Sequence, residues 1–300
     1  MPLKAYRIWK AKPPQQAAGA LLRSKVRYGK DCDMHKTQKE LAAIKKLKEE
    51  LKYDLWHLEF LEKGGVIGQN CDLYTEKLDV FKEVVEYYKN DNVDFWKAQV
   101  NWSVGDSHPQ RRENQKAFLE QVFYPYLDSG QYVCDLGAGN GEWSFAIADK
   151  VKYVDAFEYS DHMVETAAKK AKEQGIFQVS FRQADAKMLE FDRQYDNFMM
   201  MGLLTYIFEK PDLEQVLGKV YEAMKPGARL VVKDSVNLIE EDEVFLYNYQ
   251  RNYQAVYRSC ESYLQMFEKA GFILEQAKML EVIEVAGIKL GSLGALVAKK

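Results

Sequence analysis

The run Asp135-Leu136-Gly137-Ala138-Gly139-Asn140-Gly141 sits between a short apolar stretch, Tyr132–Leu136, and a stretch with helical spacing, Ser144–Ala148. Glycines at 137, 139 and 141 let a chain turn abruptly from strand into helix and bring bare backbone close to a ligand. Such a turn belongs to open α/β sheets, so it constrains everything that follows. Tyr132–Leu136, Tyr153–Phe157, Val179–Arg182, Asp196–Met201 and Arg229–Lys233 read as strands. Ser144–Ala148, Met163–Glu173 and Leu213–Met224 read as helices between them, and crossovers of that length make the strands parallel. After a helix over Glu261–Ala270, Phe272–Val282 and Ala295–Ala298 add two strands, joined by a turn over Gly287–Gly294, and one of them should run antiparallel. The expectation is an α/β fold: a doubly wound, mostly parallel seven-stranded sheet over residues 129–300, behind an α-helical N-terminal extension over residues 1–128.

Within the extension, residues 1–30 carry eight basic side chains and no acid. This arm reads either as a solvated face or as a weak contact for an anionic surface. Thr37-Gln38-Lys39-Glu40 is a capping box. Ile44, Leu47, Leu51, Leu55, Leu58 and Leu61 then recur at helical spacing until Gly64-Gly65 supplies a stop. That stripe, helix 38–63, either packs on its own protein or forms a homodimer seam, and Asp54 spoils one seam position. Tyr74, Leu78, Phe81, Val85 and Tyr88 predict a second helix, and residues 111–127 a third. Between them Phe95, Trp96 and Trp102 punctuate a loop-like stretch, expected from 91 to 115 to fold over whatever pocket the next domain presents.

Composition narrows the class. Lys and Arg number 42 against 45 for Asp and Glu, a net charge of −3, so no whole-protein field for nucleic acid is present. No apolar run approaches the roughly 20 residues of a membrane span, and the first 30 residues lack a signal-peptide core, which gives the expectation of a cytoplasmic protein. Cys32, Cys71, Cys134 and Cys260 lie far apart and read as reduced, buried thiols. His35, His57, His108 and His162 have no metal-ligand spacing, so no metal site is expected.

The glycine turn also departs from a pyrophosphate loop, because position 142 is Glu142 and the third glycine comes one residue early. That weighs against a nicotinamide oxidoreductase. Acids stand after the next two strands, Glu158 and Asp185, with Met163 five residues beyond the first; Leu203 to Tyr206 follow the fourth strand and Lys225-Pro226-Gly227 enters the fifth. In this order and spacing, residues from roughly 95 to 300 resemble the class I S-adenosylmethionine-dependent methyltransferases and their Rossmann-like fold. The resemblance implies that Asp135, Gly137, Gly139 and Gly141 form the cofactor loop. It also implies that Glu158 accepts the ribose hydroxyls, Met163 packs on the adenine, Asp185 and the Ala186 backbone read its edge, and Leu203 lines the methionine end.

Methyl transfer from a sulfonium is an in-line displacement in which alignment is the main task, and a hydroxyl or amine acceptor must also lose a proton. Asp234, at the expected end of the fifth strand, is the candidate to orient or deprotonate the acceptor. Arg258 is the candidate to hold a substrate carboxylate or phosphate. Between them, Ser235–Ser259 carries Tyr247, Tyr249, Tyr253 and Tyr257, which read either as an acceptor wall or as one face of a core helix. The resulting expectation is methylation of a hydroxyl or amine on a small-molecule or glycan acceptor. No Asn-Pro-Pro-Tyr tetrapeptide follows the fourth strand, which disfavours nucleic-acid bases. Lys233-Asp234-Ser235 and Tyr257-Arg258-Ser259 are similar to protein N-terminal methyltransferases, whose aromatic signature is missing, so a peptide substrate stays as an alternative. A catalytically silent cofactor-binding subunit that recruits a partner through its N-terminal helices is another.

Overall fold

Strand β3 (Tyr132–Leu136) is the centre from which the sheet builds outward in both directions, parallel to β4 (Tyr153–Glu158) on one side and to β6 (Tyr195–Met201) on the other. The computed structural model describes residues 55–68, 71–88, 95–96, 109–285 and 288–299. Residues 63–300 pack as one compact unit, and the helix α1 (Leu55–Glu62) belongs to another. The basic arm, the capping box and Trp102 lie outside the described residues.

Beyond β4 lies β5 (Val179–Gln183), and beyond β6 lies β7 (Met224–Asn237), both parallel to their neighbours. β11 (Ile288–Lys299) pairs antiparallel with β7 and with β10 (Phe272–Val285), which completes the seven-stranded core. The helices between are α4 (Glu142–Ile147), α5 (Asp161–Glu173), α6 (Lys210–Ala223) and α7 (Cys260–Lys269); α2 (Leu78–Tyr88) and α3 (Pro109–Val122) precede them. α5 illustrates why the sequence folds this way: Ser160 caps it by accepting from the Met163 N–H, and Met163, Ala167 and Ala171, four residues apart, are its buried face.

Alternation along β7 divides the core. Leu230 and Val232 turn to the face covered by α6 and α7, where Leu213, Val216, Leu217, Val220 and Phe267 pack. Val231 turns to the opposite face with Phe118, Leu119, Trp143 and Ile147 of α3 and α4. A sheet covered on both faces explains apolar runs such as Phe198-Met199-Met200.

Several expectations change. Tyr74, assigned to a helix, lies on β2 (Asp72–Thr75), which pairs with the two-residue β1 (Val66–Ile67). Residues before 128 therefore contribute strands as well as helices. Ser235–Ser259 is no helix: β7 runs on to Asn237, and β8 (Glu243–Asn248) and β9 (Tyr253–Ser259) form an antiparallel hairpin that β2 joins. These four strands extend the sheet to eleven. The stretch Gly287–Gly294 is not a turn, since residues 288–294 are ladder. A Cβ at Gly294 would meet the buried Phe118 ring at 2.8 Å, and one at Gly291 the flexible end of Met279 at 2.4 Å.

The hairpin's position follows from the ladders. β11 occupies one edge of β7 over residues 229–237, so β6 and β9 share the other edge, β6 up to Lys233 and β9 at Val236 and Asn237. β9 thus stands beyond the carboxyl end of β6. That is the end at which open α/β sheets bind ligands, beside the reversal of strand order around β3.

Candidate functional site

A cavity of about 490 Å³ opens there, lined by the glycine turn, the carboxyl ends of β4 and β5, the turn after β6, the first turns of α4, α5 and α6, and Val85, Trp96 and Gln254. The glycine turn is tied to β4 by its backbone: the Gly137 and Ala138 N–H groups donate to the Phe157 carbonyl at 2.8 and 3.0 Å. Gly141 has a φ of 83° and precedes α4; a Cβ there would lie 2.6 Å from the Phe181 ring. The Phe181 ring of β5 thus leaves no room for a side chain at position 141.

Glu158 is held over the turn by two backbone donors, Gly139 N–H to Oε2 and Ser160 N–H to Oε1, each at 2.9 Å. Burial pushes its carboxyl above the usual range, and the N–H groups partly offset this. Asp135 is 1% exposed, and its Oδ2 accepts from the Ser144 hydroxyl at 2.5 Å. Its Oδ1 is buried with no hydrogen-bond partner. Burial, opposed by the Ser144 bond and assisted by the charge of Glu158, brings the Asp135 pKa to about 7. Asp185 holds its own turn by accepting from the Lys187 N–H at 2.9 Å.

Asp135, Gly137, Gly139, Glu158, Met163, Asp185, Ala186 and Leu203 all line this one cavity, while Gly141 stands behind it as the helix entry. The cavity is acidic. Glu142 is paired with Arg112 at 2.5 Å, and Lys187 lies 3.7 Å from Asp212. Asp135 and Glu158 have no cation bridged to them among the described residues. A pyrophosphate would meet these carboxylates as like charges; a ligand bearing positive charge and hydroxyl groups fits them.

The two residues expected to act on the acceptor do other work. β7 continues three residues past Asp234, so this carboxylate is inside the sheet and not at a strand end. It is 3% exposed and accepts from the Leu204 N–H at 2.5 Å and the Ser235 N–H at 2.7 Å, outside the cavity lining. Burial raises its pKa, with Lys233 opposing. Arg258 is fully buried on β9. Its Nε donates to Glu243 at 2.7 Å, and its other nitrogens donate to the carbonyls of Leu204 (3.4 Å), Ile207 (3.0 Å) and Phe208 (2.5 Å). Together the two side chains brace the turn Leu204–Phe208.

The expected acceptor wall is likewise redistributed. From Ser235–Ser259 the cavity receives Gln254 alone, with Tyr253 and Tyr257 behind it. Tyr206 lines the cavity and meets the Trp96 ring edge-on at 5.2 Å, and Phe95 packs on Tyr253 at 4.7 Å. Trp96 had an aromatic-rich loop as its signal. Val85, Phe208 and Gln254 had none: helix α2 brings Val85 here, the turn after β6 brings Phe208, and strand pairing of β9 brings Gln254. Among the described residues no cluster of potential metal ligands is present, and no helix is long and apolar enough to cross a membrane.

A family model described as a methyltransferase domain matches residues 133–227. A demethylmenaquinone methyltransferase of Lactococcus lactis is 29% identical over 106 residues, covering 34% of this chain and 41% of the relative. One of Listeria welshimeri is 26% identical over 160 residues, covering 52% and 61%. The chain thus spans between two fifths and three fifths of the length of these relatives. Among solved structures, the DhpI–SAH complex superposes with a TM-score of 0.51 at 20% identity, over 68% of this chain and 94% of that one, which is a likeness of fold.

Proposed function

We propose, from the premise that residues 133–227 form a domain of the class I S-adenosylmethionine-dependent methyltransferase family, that this chain binds S-adenosylmethionine in the cavity and methylates a small molecule. The observation that carries this reading is the buried, unpartnered Asp135 Oδ1 in an acidic cavity walled by glycine backbone. A buried carboxylate oxygen without a partner is costly, and a cationic ammonium is the partner that lowers that cost most.

Asp135 would take the ammonium of the methionine moiety. Glu158, oriented by the Gly139 and Ser160 N–H groups, would accept the ribose hydroxyls. Met163 and the 185–186 turn would hold the adenine. When bound, S-adenosylmethionine supplies an electrophilic methyl group on a sulfonium. The protein's share is to align and dry the acceptor, since Asp234 is spent on backbone donors and supplies no base at the reacting atoms. Leu203, Trp96 and Phe208 exclude water there.

The relatives' name, demethylmenaquinone methyltransferase, supports a small-molecule acceptor; a glycan has no such support. The peptide alternative rested on the likeness of Lys233-Asp234-Ser235 and Tyr257-Arg258-Ser259 to protein N-terminal methyltransferases, and in those two runs Asp234 and Arg258 are both buried. The test is to incubate the chain with methyl-labelled S-adenosylmethionine and a panel of hydroxyl- and amine-bearing small molecules, a reduced naphthoquinone among them. Label should pass to at least one. Failure of both S-adenosylmethionine and S-adenosylhomocysteine to bind would overturn the proposal.

A further inference from the structure

Where β9 meets the turn after β6, three phenols form a line. The Tyr206 hydroxyl lies 3.3 Å from that of Tyr253, which lies 3.4 Å from that of Tyr257. The arrangement follows from the fold: β9 stands beyond the end of β6, and strand period places Tyr253 and Tyr257 on one face of β9, turned to Tyr206. Burial raises the pKa of all three, so each is a neutral O–H. Three hydroxyls carry three protons, and two links use two of them. Hydrogen-bonding capacity is therefore left at an end of the line, and Tyr206 is the end that lines the cavity.

Around Tyr206 the walls are apolar and largely aromatic: Val85, Trp96, Ile207 and Phe208. Glu209 is matched with Lys82 at 2.6 Å and Asp212 with Lys187 at 3.7 Å, while Glu158 adds a negative charge that acts on Tyr206. Arg258 is sealed behind the turn. No cation among these groups is left to hold an anionic substrate, and a sugar would leave several hydroxyls against apolar walls.

We infer that the acceptor is a neutral, flat aromatic ring carrying an oxygen, and that the Tyr206 hydroxyl receives this oxygen with Tyr253 and Tyr257 as positioning residues behind it. This specifies the substrate class of the methyltransferase reading above and rests on it. A row of linked hydroxyls polarises its terminal member, so Tyr253 strengthens the bond that Tyr206 makes.

The experiment titrates the chain, saturated with S-adenosylhomocysteine, with 2-naphthol and with 2-methylnaphthalene, which has the same shape without the oxygen. The naphthol should bind roughly 3–10-fold more tightly, the worth of one neutral hydrogen bond. Tyr206→Phe should erase that ratio, and Tyr253→Phe should reduce it while leaving S-adenosylhomocysteine affinity in place. Structural damage would weaken both probes equally and leave the ratio unmoved. An equal ratio in the wild type, a ratio untouched by Tyr206→Phe, or failure of both probes to bind the loaded protein would overturn the inference. Failure of S-adenosylhomocysteine itself to bind would instead remove the reading beneath it.

Discussion

The two ends of the cavity are built in opposite ways. At the β3–β5 end the ligand-facing groups are neighbours in sequence, and their geometry is backbone geometry: a glycine turn tied to Phe157, and Glu158 held by Gly139 and Ser160. At the β6–β9 end the lining comes from Val85 of helix α2, Trp96, Tyr206 and Phe208 of the turn after β6, and Gln254 of β9, and two buried side chains, Asp234 and Arg258, brace that turn. The first end is specified locally and suits a constant ligand. The second is assembled by tertiary structure and suits a ligand that differs between proteins sharing the fold.

The largest effect that tests this contrast is at Arg258. If it braces the Leu204–Phe208 turn, Arg258→Ala should cost about 3–5 kcal/mol of stability, since Glu243 loses its buried partner and three carbonyls lose their donor. Denaturant unfolding checks this. A variant of unchanged stability with only a raised acceptor Michaelis constant would return Arg258 to the substrate.

At the other end, Gly141→Ala should cost about 2–4 kcal/mol, from left-handed backbone and a Cβ 2.6 Å from Phe181. Gly218→Ala is its control: inside α6 with no atom within 4 Å of the added Cβ, it should stabilise by about 0.5–1 kcal/mol. Equal effects at the two sites would mean that the turn is not the rigid element described.

Much of the first end was legible because its signals are short-range. Three glycines and acids at two strand ends place Asp135, Glu158 and Asp185 before any long-range pairing is known. Of the second end, only Trp96 and the turn that carries Tyr206 were. Asp234 was expected at a strand end because β7 reads as five residues of apolar pattern, whereas pairing with β11 and β9 extends it to Asn237. Tyr249, Tyr253 and Tyr257 have helical spacing, and only the hairpin with β8 shows them to be strand and turn residues. Gln254 has no local signal, since its place depends on a register between β7 and β9 that no sequence period encodes.

A further effect separates the ends by pH. Burial, against the Ser144 bond and with the Glu158 charge, lifts Asp135 from 3.8 to about 7. The carboxyl ionises first in the unfolded chain, so its destabilising contribution grows as pH rises from about 4 to about 7 and is level above, reaching about 4 kcal/mol at most. The ligand-free protein should therefore gain stability on acidification from pH 7 towards 5, and Asp135→Asn should flatten that rise. An ammonium against Asp135 favours the ionised form, so S-adenosylhomocysteine should bind roughly tenfold more weakly at pH 6 than at pH 8. Calorimetry in matched buffers reads both trends, and a pH-independent affinity would place the ammonium elsewhere.

The central claim is that the sequence-local end of the cavity holds the adenosyl ligand through Glu158. Titration calorimetry of the full chain with S-adenosylhomocysteine, wild type beside Glu158→Ala, tests it most directly. The account predicts one site in the wild type and an affinity about 10–100-fold lower in the variant, as expected for hydrogen bonds to a charged group. No binding to the wild type, or an unchanged affinity in a variant that still unfolds cooperatively, would contradict it.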